Sequence, residues 1–269
     1  MSNNMKFLKW AGSKFKLTDL LLENIPNNYD RYIEPFVGSG ALLFALCPTK
    51  AIVSDLNCHL INTYDVIKNK LEELLLIMPL MRNEKEYFYE TREKNLSLLS
   101  APEQAARFIY LNKTCFNGLY RENASGKFNV PYGFYKSPKI YDENVLGNVS
   151  RYLNQAIVEI YCQDYKKTLL CTNKNDFIYI DSPYHSVSKT SFTKYTKKDF
   201  KEQDQRELAE EFKRLNDLGC FVMLSNANTS LIRELYKDFC QIELVVNRVI
   251  NSKGDCRKGT GQELLIKNY

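Results

Sequence analysis

The residues whose types and spacing point most directly to chemistry are an aspartate and a tyrosine that follow a short apolar segment. Residues 177–180 are β-branched and aromatic and end shortly before Pro183, a pattern that predicts a buried strand. Asp181 and Tyr184 would then stand just past the carboxyl end of that strand, where open α/β sheets bind their ligands. A carboxylate accepts hydrogen bonds and a flat ring offers a stacking face, so this pair suits a flat heterocycle with an amino group. An ordinary turn built on aspartate and proline would give the same pattern.

A second candidate segment is the glycine-containing stretch EPFVGSG at 34–40. It lies between a predicted strand at 32–33 and a predicted helix at 41–46. Glycines at such a place let the backbone approach a ligand closely, and free N–H groups there bind an anion or a polar group. Only Gly38 and Gly40 are present, without the third glycine of the dinucleotide fingerprint. A plain turn between strand and helix is therefore the alternative.

An acidic residue follows the next predicted strand, at 51–54. Asp55 lies about 20 residues beyond the strand that leads into the glycines, which is the placement of an acid that holds ribose hydroxyls. The alternative role is to cap the helix that begins near Asn57. The two roles are compatible with each other.

The composition is that of an ordinary soluble protein of one or two domains, with 269 residues, 44% of them hydrophobic and 26% charged. No apolar run reaches the roughly 20 residues of a membrane span, and residues 1–16 lack the features of a signal peptide. We therefore expect a cytoplasmic protein with no membrane partner. The eight cysteines are scattered without a C-x-x-C pair and there are two histidines, so we expect neither a metal site nor a disulfide framework.

The net charge of +5 is mild, but the basic residues are clustered. A single basic run is usually a solvated face, whereas three clusters beside predicted strand ends predict a rim that binds phosphate. The clusters consist of Lys6, Lys9, Lys14 and Lys16; of Lys189, Lys194, Lys197, Lys198 and Lys201; and of Arg248, Lys253, Arg257 and Lys258.

Residues 57–153 interrupt the alternation of strands and helices. Helical patterns at 60–77, 84–93 and 102–114 precede an aromatic segment at about 116–136 that has the turn residues of a β-hairpin. Its aromatic side chains alternate with Arg121, Lys127 and Lys136, which predicts contact with nucleic acid bases; a small satellite core is equally compatible. Strand and helix patterns resume at 157. The sequence thus predicts an α/β fold with one domain made of 1–56 and 154–269 and a second at 57–153.

Five segments now stand in one order: KWAGSK at 9–14, EPFVGSG at 34–40, Asp55, Asp164-Tyr165, and DSPY at 181–184. In this order they resemble the Dam-type DNA adenine methyltransferases, and the resemblance extends from about residue 6 to 267. FNGLYR at 116–121 and FNVPYG at 128–133 are similar to the recognition hairpin of the members that methylate GATC. The resemblance implies a Rossmann-like methyltransferase fold with a helical and β-hairpin insert that recognises double-stranded DNA.

By the same resemblance the cofactor is S-adenosylmethionine. The residues implied in binding it are Trp10, Lys14, Glu34, Phe36, Gly38, Gly40, Asp55, Asp164, Tyr165 and Asp181. The catalytic residues implied are Asp181, Ser182, Pro183 and Tyr184, with Tyr184 stacked on an adenine flipped out of the duplex. Most members of the family have proline where this chain has Ser182. A backbone carbonyl is still present there, but the fixed φ of proline is lost.

The residues implied in DNA binding fall into two groups. Those that contact bases are Lys9, Phe116, Asn117, Leu119, Arg121, Pro131 and Tyr135. Those that contact the backbone are Ser188, Lys189, Arg248, Lys253, Arg257 and Lys258. Arg121 would read a guanine in the major groove, where that base offers paired acceptors.

Two further expectations concern partners and rival functions. The protein would act as a monomer in solution or as a dimer on DNA, either alone or paired in function with a restriction endonuclease. The alternatives are a methyltransferase for RNA or a protein amide, and a DNA-binding member with weakened catalysis. A methyltransferase for RNA or a protein amide would need neither the hairpin nor the basic clusters. Weakened catalysis is suggested by Ser182, which replaces the proline of most family members.

Overall fold

The computed structural model of the protein describes residues 4–123, 125–185, 200–247 and 260–269. Within these ranges the chain divides into two compact units. The first contains residues 4–25 and 35–170, and the second contains residues 26–34, 171–185, 200–247 and 260–269.

The described strands and helices agree in kind with the α/β prediction. The strands are β1 (Tyr32–Glu34), β2 (Lys50–Asp55), β3 (Ile157–Cys162), β4 (Phe177–Ile180), β5 (Phe221–Ala227), β6 (Cys240–Asn247) and β7 (Thr260–Lys267). The α-helices are α1 (Thr18–Leu22), α2 (Ala41–Leu46), α3 (Cys58–Asn69), α4 (Leu71–Ile77), α5 (Lys85–Glu93), α6 (Ala101–Thr114), α7 (Glu143–Gln155), α8 (Tyr165–Leu169), α9 (Glu202–Leu218) and α10 (Ser230–Leu235). Short 3-10 helices lie at Lys14–Lys16, Met78–Leu80, Leu96–Leu98 and Phe116–Gly118.

In the first unit, β2 and β3 are parallel and in register from Lys50 opposite Ile157 to Asp55 opposite Cys162. The carboxyl ends of both strands therefore lie side by side, and the residues that follow them are neighbours. Four central residues of β2 are buried, which explains why its sequence is a nearly continuous apolar run. Helices α3, α6 and α7 supply most of the remaining core through buried residues such as Tyr64 and Ile109.

The predicted single helix at 60–77 is wrong, because the chain forms α3 and α4 with a break at Lys70. The backbone of Lys70 is non-helical, with φ −141° and ψ 36°. The side-chain amide of Asn154 donates a 2.7 Å hydrogen bond to the carbonyl of Lys68, which satisfies one of the acceptors at the end of α3. Helix α7, which the sequence patterns did not reveal, thus contributes the residue that accommodates the break.

In the second unit the strand order is β1-β4-β5-β7-β6. Strands β1, β4 and β5 are parallel, while β7 is antiparallel to both of its neighbours. All four residues of β4 are buried, as expected for a strand covered on both faces. Arg31 and Asp176 hold the start of β4 through an ion pair of 2.6 Å. Parallel strands with helical connections give the predicted Rossmann-like α/β fold, which is confirmed.

No helix in the described part of the chain is long and apolar enough to cross a membrane. Within the same ranges, no group of three or more histidine, cysteine, aspartate or glutamate residues has the arrangement of a metal site.

Candidate active site

The glycine turn that precedes α2 needs glycine at two positions. Gly38 has φ +47° and Gly40 has φ +67°, a region that other residues adopt only with strain. A Cβ atom on Gly38 would lie 2.8 Å from Nε1 of Trp10, and one on Gly40 would lie 2.7 Å from the hydroxyl of Tyr64. The turn therefore packs directly against the Trp10 indole, and its shape depends on the absence of both side chains.

The carboxylate of Asp55 holds this turn from the tip of β2. Its Oδ2 atom accepts a 3.1 Å hydrogen bond from the N–H of Gly38, and its Oδ1 atom accepts one of 2.9 Å from the N–H of Asn57. Burial raises the pKa of Asp55, whereas these backbone N–H groups lower it. The side chain of Asn57 accepts from the N–H groups of His59 and Leu60 and is the N-cap of α3. The cap that we considered for Asp55 therefore belongs to Asn57.

Other residues predicted to bind the cofactor have defined contacts within the first unit. The rings of Phe36 and Tyr165 stack with centroids 5.1 Å apart and an interplanar angle of 27°. Asp164 is the N-cap of α8 and accepts from the N–H of Lys166 at 2.9 Å, a structural role in addition to the predicted one. Lys14 is buried and donates to the carbonyl of Gly12 at 2.9 Å.

A disulfide joins the start of α3 to the end of β3, although the scattered cysteines implied no disulfide framework. The Sγ atoms of Cys58 and Cys162 are bonded, although the residues are 104 positions apart. Cys58 begins α3 just after Asp55, and Cys162 ends β3 just before Asp164. The pairing follows from the register of β2 and β3, which spacing in the sequence does not reveal.

In the second unit, the tetrapeptide at 181–184 directly follows β4, as predicted. The hydroxyl of Tyr184 donates a 2.8 Å hydrogen bond to Oε2 of Glu263 on β7. Burial first, and then the charges of Asp181 and Glu263, raise the pKa of Tyr184 well above its ordinary value, so the phenol remains protonated. Ser182 is buried, and its hydroxyl has no hydrogen-bond partner among the described residues.

Two buried amides hold the backbone of this loop. Nε2 of Gln205 donates to the carbonyl of Pro183 at 2.8 Å, and Nδ2 of Asn226 donates to Oε1 of Gln205 at 2.9 Å. Oδ1 of Asn226 accepts from the N–H of His185 at 3.0 Å. Glu34, the last residue of β1, is also buried in this unit and accepts a 2.9 Å hydrogen bond from the hydroxyl of Tyr32.

The sequence reasoning missed Gln205, Asn226 and Glu263. The polar residue that ends the apolar run of β5 was the available signal for Asn226, because polar residues at strand tips are often functional. No comparable signal distinguished Gln205, which occupies an inward position of an amphipathic helix.

The segment predicted as a hairpin at 116–136 pairs through two isolated antiparallel bridges, Cys115 with Tyr132 and Glu122 with Phe128. The ammonium of Lys9 lies 3.9 Å from the ring centroid of Tyr135. Nε of Arg121 donates to Oδ1 of Asn129 at 2.7 Å.

The aromatic residues of this segment divide between the two interpretations. Tyr120, Phe128 and Tyr132 are buried, whereas Phe116 and Phe134 are 49% and 71% exposed. Asn117, next to Phe116, has φ +56°, and Leu119 and Pro131 lie on the same segment. Among the aromatic residues named here, only the exposed Phe116 and Phe134 are therefore available for contact with bases.

Six residues predicted to bind the DNA backbone lie outside the described ranges: Ser188, Lys189, Arg248, Lys253, Arg257 and Lys258.

The Rossmann-like α/β fold is the one that the resemblance to methyltransferases implied, and Asp-Ser-Pro-Tyr follows a buried strand as predicted. Residues 10–250 match the family model of the D12 class N6 adenine-specific DNA methyltransferases. The chain belongs to this family and is a DNA adenine methyltransferase.

Relatives match along almost the whole chain. The type II methyltransferase M.MjaIII of Methanocaldococcus jannaschii is 43% identical, covering 98% of both chains. The type II methyltransferase M1.LlaDCHI of Lactococcus lactis subsp. cremoris is 40% identical, covering 99% of this chain and 96% of the relative. The DNA adenine methylase of Escherichia coli (strain K12) is 33% identical with the same coverage.

Proposed function

We propose that the protein transfers a methyl group from S-adenosylmethionine to the exocyclic amine of an adenine flipped out of double-stranded DNA, within the sequence GATC. The observation that carries the proposal is the loop after β4, where Asp181 and Tyr184 follow a buried strand and the Pro183 carbonyl is fixed by Gln205. An amine inside the stacked duplex is out of reach of such a loop, so the base must leave the stack.

The first unit has the features that a nucleoside cofactor requires. Trp10 packs directly on Gly38, where a Cβ atom would not fit, so the indole and the glycine turn are held together. Asp55 is suited to the ribose hydroxyls, and the Phe36–Tyr165 pair offers aromatic surface for the adenine ring. Lys14, Gly40 and Asp164 complete this part of the proposed set, to which Glu34 and Asp181 are added from the second unit. When bound, the cofactor supplies an electrophilic methyl group on a sulfonium.

The loop that binds the target adenine has to activate its exocyclic amine, which is a poor nucleophile. The lone pair of the adenine amine is delocalised into the ring. We propose that the Asp181 carboxylate and the Ser182 carbonyl each accept one amine hydrogen, which favours a pyramidal nitrogen with its lone pair directed to the methyl group. Tyr184 stacks on the base and offsets part of an unstacking cost of a few kcal/mol.

Recognition is assigned to residues 57–153, with the catalytic domain formed by 1–56 and 154–269. Phe116, Asn117, Leu119, Arg121 and Pro131 would contact bases, supported by the Lys9–Tyr135 pair. The six residues named outside the described ranges would contact phosphates.

The remaining assignments concern how the enzyme is used. Since two relatives are named type II methyltransferases, we include functional pairing with a restriction endonuclease in the proposal. We also propose that the enzyme is a monomer in solution, with dimer formation on DNA as the alternative, and that it acts on DNA in the cytoplasm.

The test is methylation of duplex DNA that contains no methylated adenine, with S-adenosylmethionine as the donor, followed by mapping of the modified bases. Methylated adenine confined to GATC is expected for the wild type and no product for Asp181→Ala. Asp238→Ala, which removes an exposed carboxylate from the same unit, is the matched control and should retain full activity. Melting curves show whether each variant is folded. Substantial turnover by folded Asp181→Ala, or methylation at unrelated sequences, would overturn the assignment.

A further inference from the structure

Two side chains that flank Arg121 extend into the protein. Alternate residues of an extended segment lie on one side, so Tyr120 and Glu122 share the side opposite Arg121. The hydroxyl of Tyr120 donates a 2.6 Å hydrogen bond to Oε1 of Glu122. Arg121 is oriented separately by its hydrogen bond to Asn129, 2.7 Å long. The residue proposed to read a guanine is thus held between two inward-facing residues that are bonded to each other.

The ring of Tyr120 reaches the support of the glycine turn. It stacks on the indole of Trp10 with centroids 5.9 Å apart and an interplanar angle of 22°. The same indole occupies the space that a side chain on Gly38 would need. An aromatic stack therefore connects the position beside Arg121 with the turn assigned to the cofactor.

The hydroxyl of Tyr120 leads, through Glu122, to the segment that follows Asp55. Burial raises the pKa of Tyr120 well above its ordinary value, while the side chain of Asn57 acts in the opposite direction. The N–H of Asn57 donates to Asp55, the carboxylate assigned to the ribose. Nε2 of His59 lies 4.0 Å from Oε1 of Glu122, which ties Glu122 to the first turn of α3. Tyr120 therefore reaches Trp10 through its ring and the start of α3 through Glu122.

We infer that Tyr120, with Glu122 and Asn57, forms a connection through which cognate DNA and the cofactor strengthen each other's binding. Tyr120 and Glu122 are positioning residues in this assignment. A cofactor that orders Trp10 and the Asp55–Asn57 segment also orders the residues that flank Arg121. The ordering cost is then shared by the two ligands, which gives positive coupling without a large structural change. The inference rests on the proposed function, because it takes GATC and S-adenosylmethionine as the ligands.

Thermodynamic linkage makes the coupling measurable from either ligand. The probe is S-adenosylhomocysteine, which cannot transfer a methyl group, titrated into the full-length protein alone, with a GATC duplex and with a scrambled duplex. For the wild type we expect affinity at least about fivefold higher with GATC than without DNA. The scrambled duplex should produce little of this increase.

Variants of Tyr120 and Glu122 test whether these residues couple the binding of DNA to the binding of the probe. Tyr120→Phe keeps the ring but loses the hydrogen bond to Glu122, and Glu122→Gln keeps the size but removes the charge. Both should lower the GATC-dependent increase to less than about twofold while binding of the probe without DNA changes little. Tyr152→Phe loses a hydroxyl that donates to the carbonyl of Pro48, and as the control it should retain the full increase.

The outcomes distinguish this inference from the function on which it rests. Failure of the wild type to bind the probe or the duplex would overturn both. Wild-type binding of both ligands without coupling, or full coupling in a folded Tyr120→Phe protein, would overturn only the inference. If Tyr120→Phe does not fold, Glu122→Gln decides by the same criterion.

Discussion

The hydroxyl of Tyr184 donates a hydrogen bond to Oε2 of Glu263, 79 positions later in the chain, at 2.8 Å. This bond fixes the one aromatic ring of the Asp-Ser-Pro-Tyr loop from β7. Since the pKa of Tyr184 is raised well above its ordinary value of 10.0, the hydroxyl keeps its proton and its donor role throughout the pH range in which the protein is assayed. A ring held at its polar end can present a face to a base while losing little further rotational freedom on binding.

Removing either partner of this bond should slow methyl transfer. Glu263→Gln and Tyr184→Phe each lose the charge-assisted hydrogen bond. We expect the single-turnover rate of methyl transfer to fall about tenfold in each variant. The double variant should be no slower than the slower single variant, because the two changes remove the same interaction. Glu159→Gln is the control, since Glu159 accepts from the hydroxyl of Tyr161 on an exposed strand. Additive losses in the double variant would contradict the pairing.

Ser182→Ala should leave catalysis intact and stabilise the protein. The hydroxyl is buried without a partner among the described residues, so its removal recovers an unmet desolvation cost of about 1–3 kcal/mol. The carbonyl proposed to accept an amine hydrogen belongs to the backbone and remains. Thermal unfolding measures the first effect and the methylation rate measures the second. A large loss of rate with no change of stability would assign the hydroxyl itself a part in the reaction.

Gly38→Ala should weaken cofactor binding more than it destabilises the fold. The substitution places a Cβ atom 2.8 Å from Trp10 at a φ of +47°, where a left-handed backbone costs about 1–2 kcal/mol. S-adenosylhomocysteine affinity, measured by calorimetry, is expected to fall at least about tenfold. Gly147→Ala is the matched control: it lies inside α7 with no atom within 4 Å of the new Cβ, so it should stabilise by about 0.5–1 kcal/mol and leave the affinity unchanged. Equal effects of the two substitutions would refute the role of the turn.

Loss of the Cys58–Cys162 disulfide should destabilise the first unit. The bond joins residues 104 positions apart, and disulfides contribute typically about 2–4 kcal/mol to stability. We expect the melting temperature of Cys58→Ser to fall, and that of the wild type to fall similarly in a thiol reductant. Cys240→Ser replaces an exposed cysteine that lies outside the disulfide and should have no effect. Insensitivity of the wild type to reductant would contradict a contribution of this bond to stability.

The sequence was sufficient where local pattern determines structure, and insufficient where distant segments meet. The apolar run of β4 and the polar residues after it were predicted, because a buried parallel strand reads as continuous hydrophobic sequence. The disulfide was not, because its two cysteines become neighbours only through the pairing of β2 with β3. Glu263 was recognised only as the start of a last strand, because its partner is set by the antiparallel pairing of β5 with β7.

In the segment at 116–136, the sequence likewise did not show which single residues are buried. Its aromatic content predicted either base contact or a small core, and composition alone favoured neither. The structure places Tyr120 and Phe128 in the core and leaves Phe116 exposed at the start of a short 3-10 helix, a difference that aromatic content does not encode.

Arg121→Ala should reduce sequence preference more than it reduces affinity for DNA. A guanidinium bonded to a guanine contributes about 1–3 kcal/mol of discrimination against the wrong base, whereas nonspecific affinity comes from phosphate contacts made elsewhere. We expect methylation to spread to sites that differ from GATC at the first base pair, with nearly unchanged binding of a scrambled duplex. Arg151→Ala, which removes a guanidinium exposed on α7, is the control and should keep the wild-type preference. Parallel losses of affinity for GATC and scrambled duplexes would show that Arg121 binds phosphate and does not read a base.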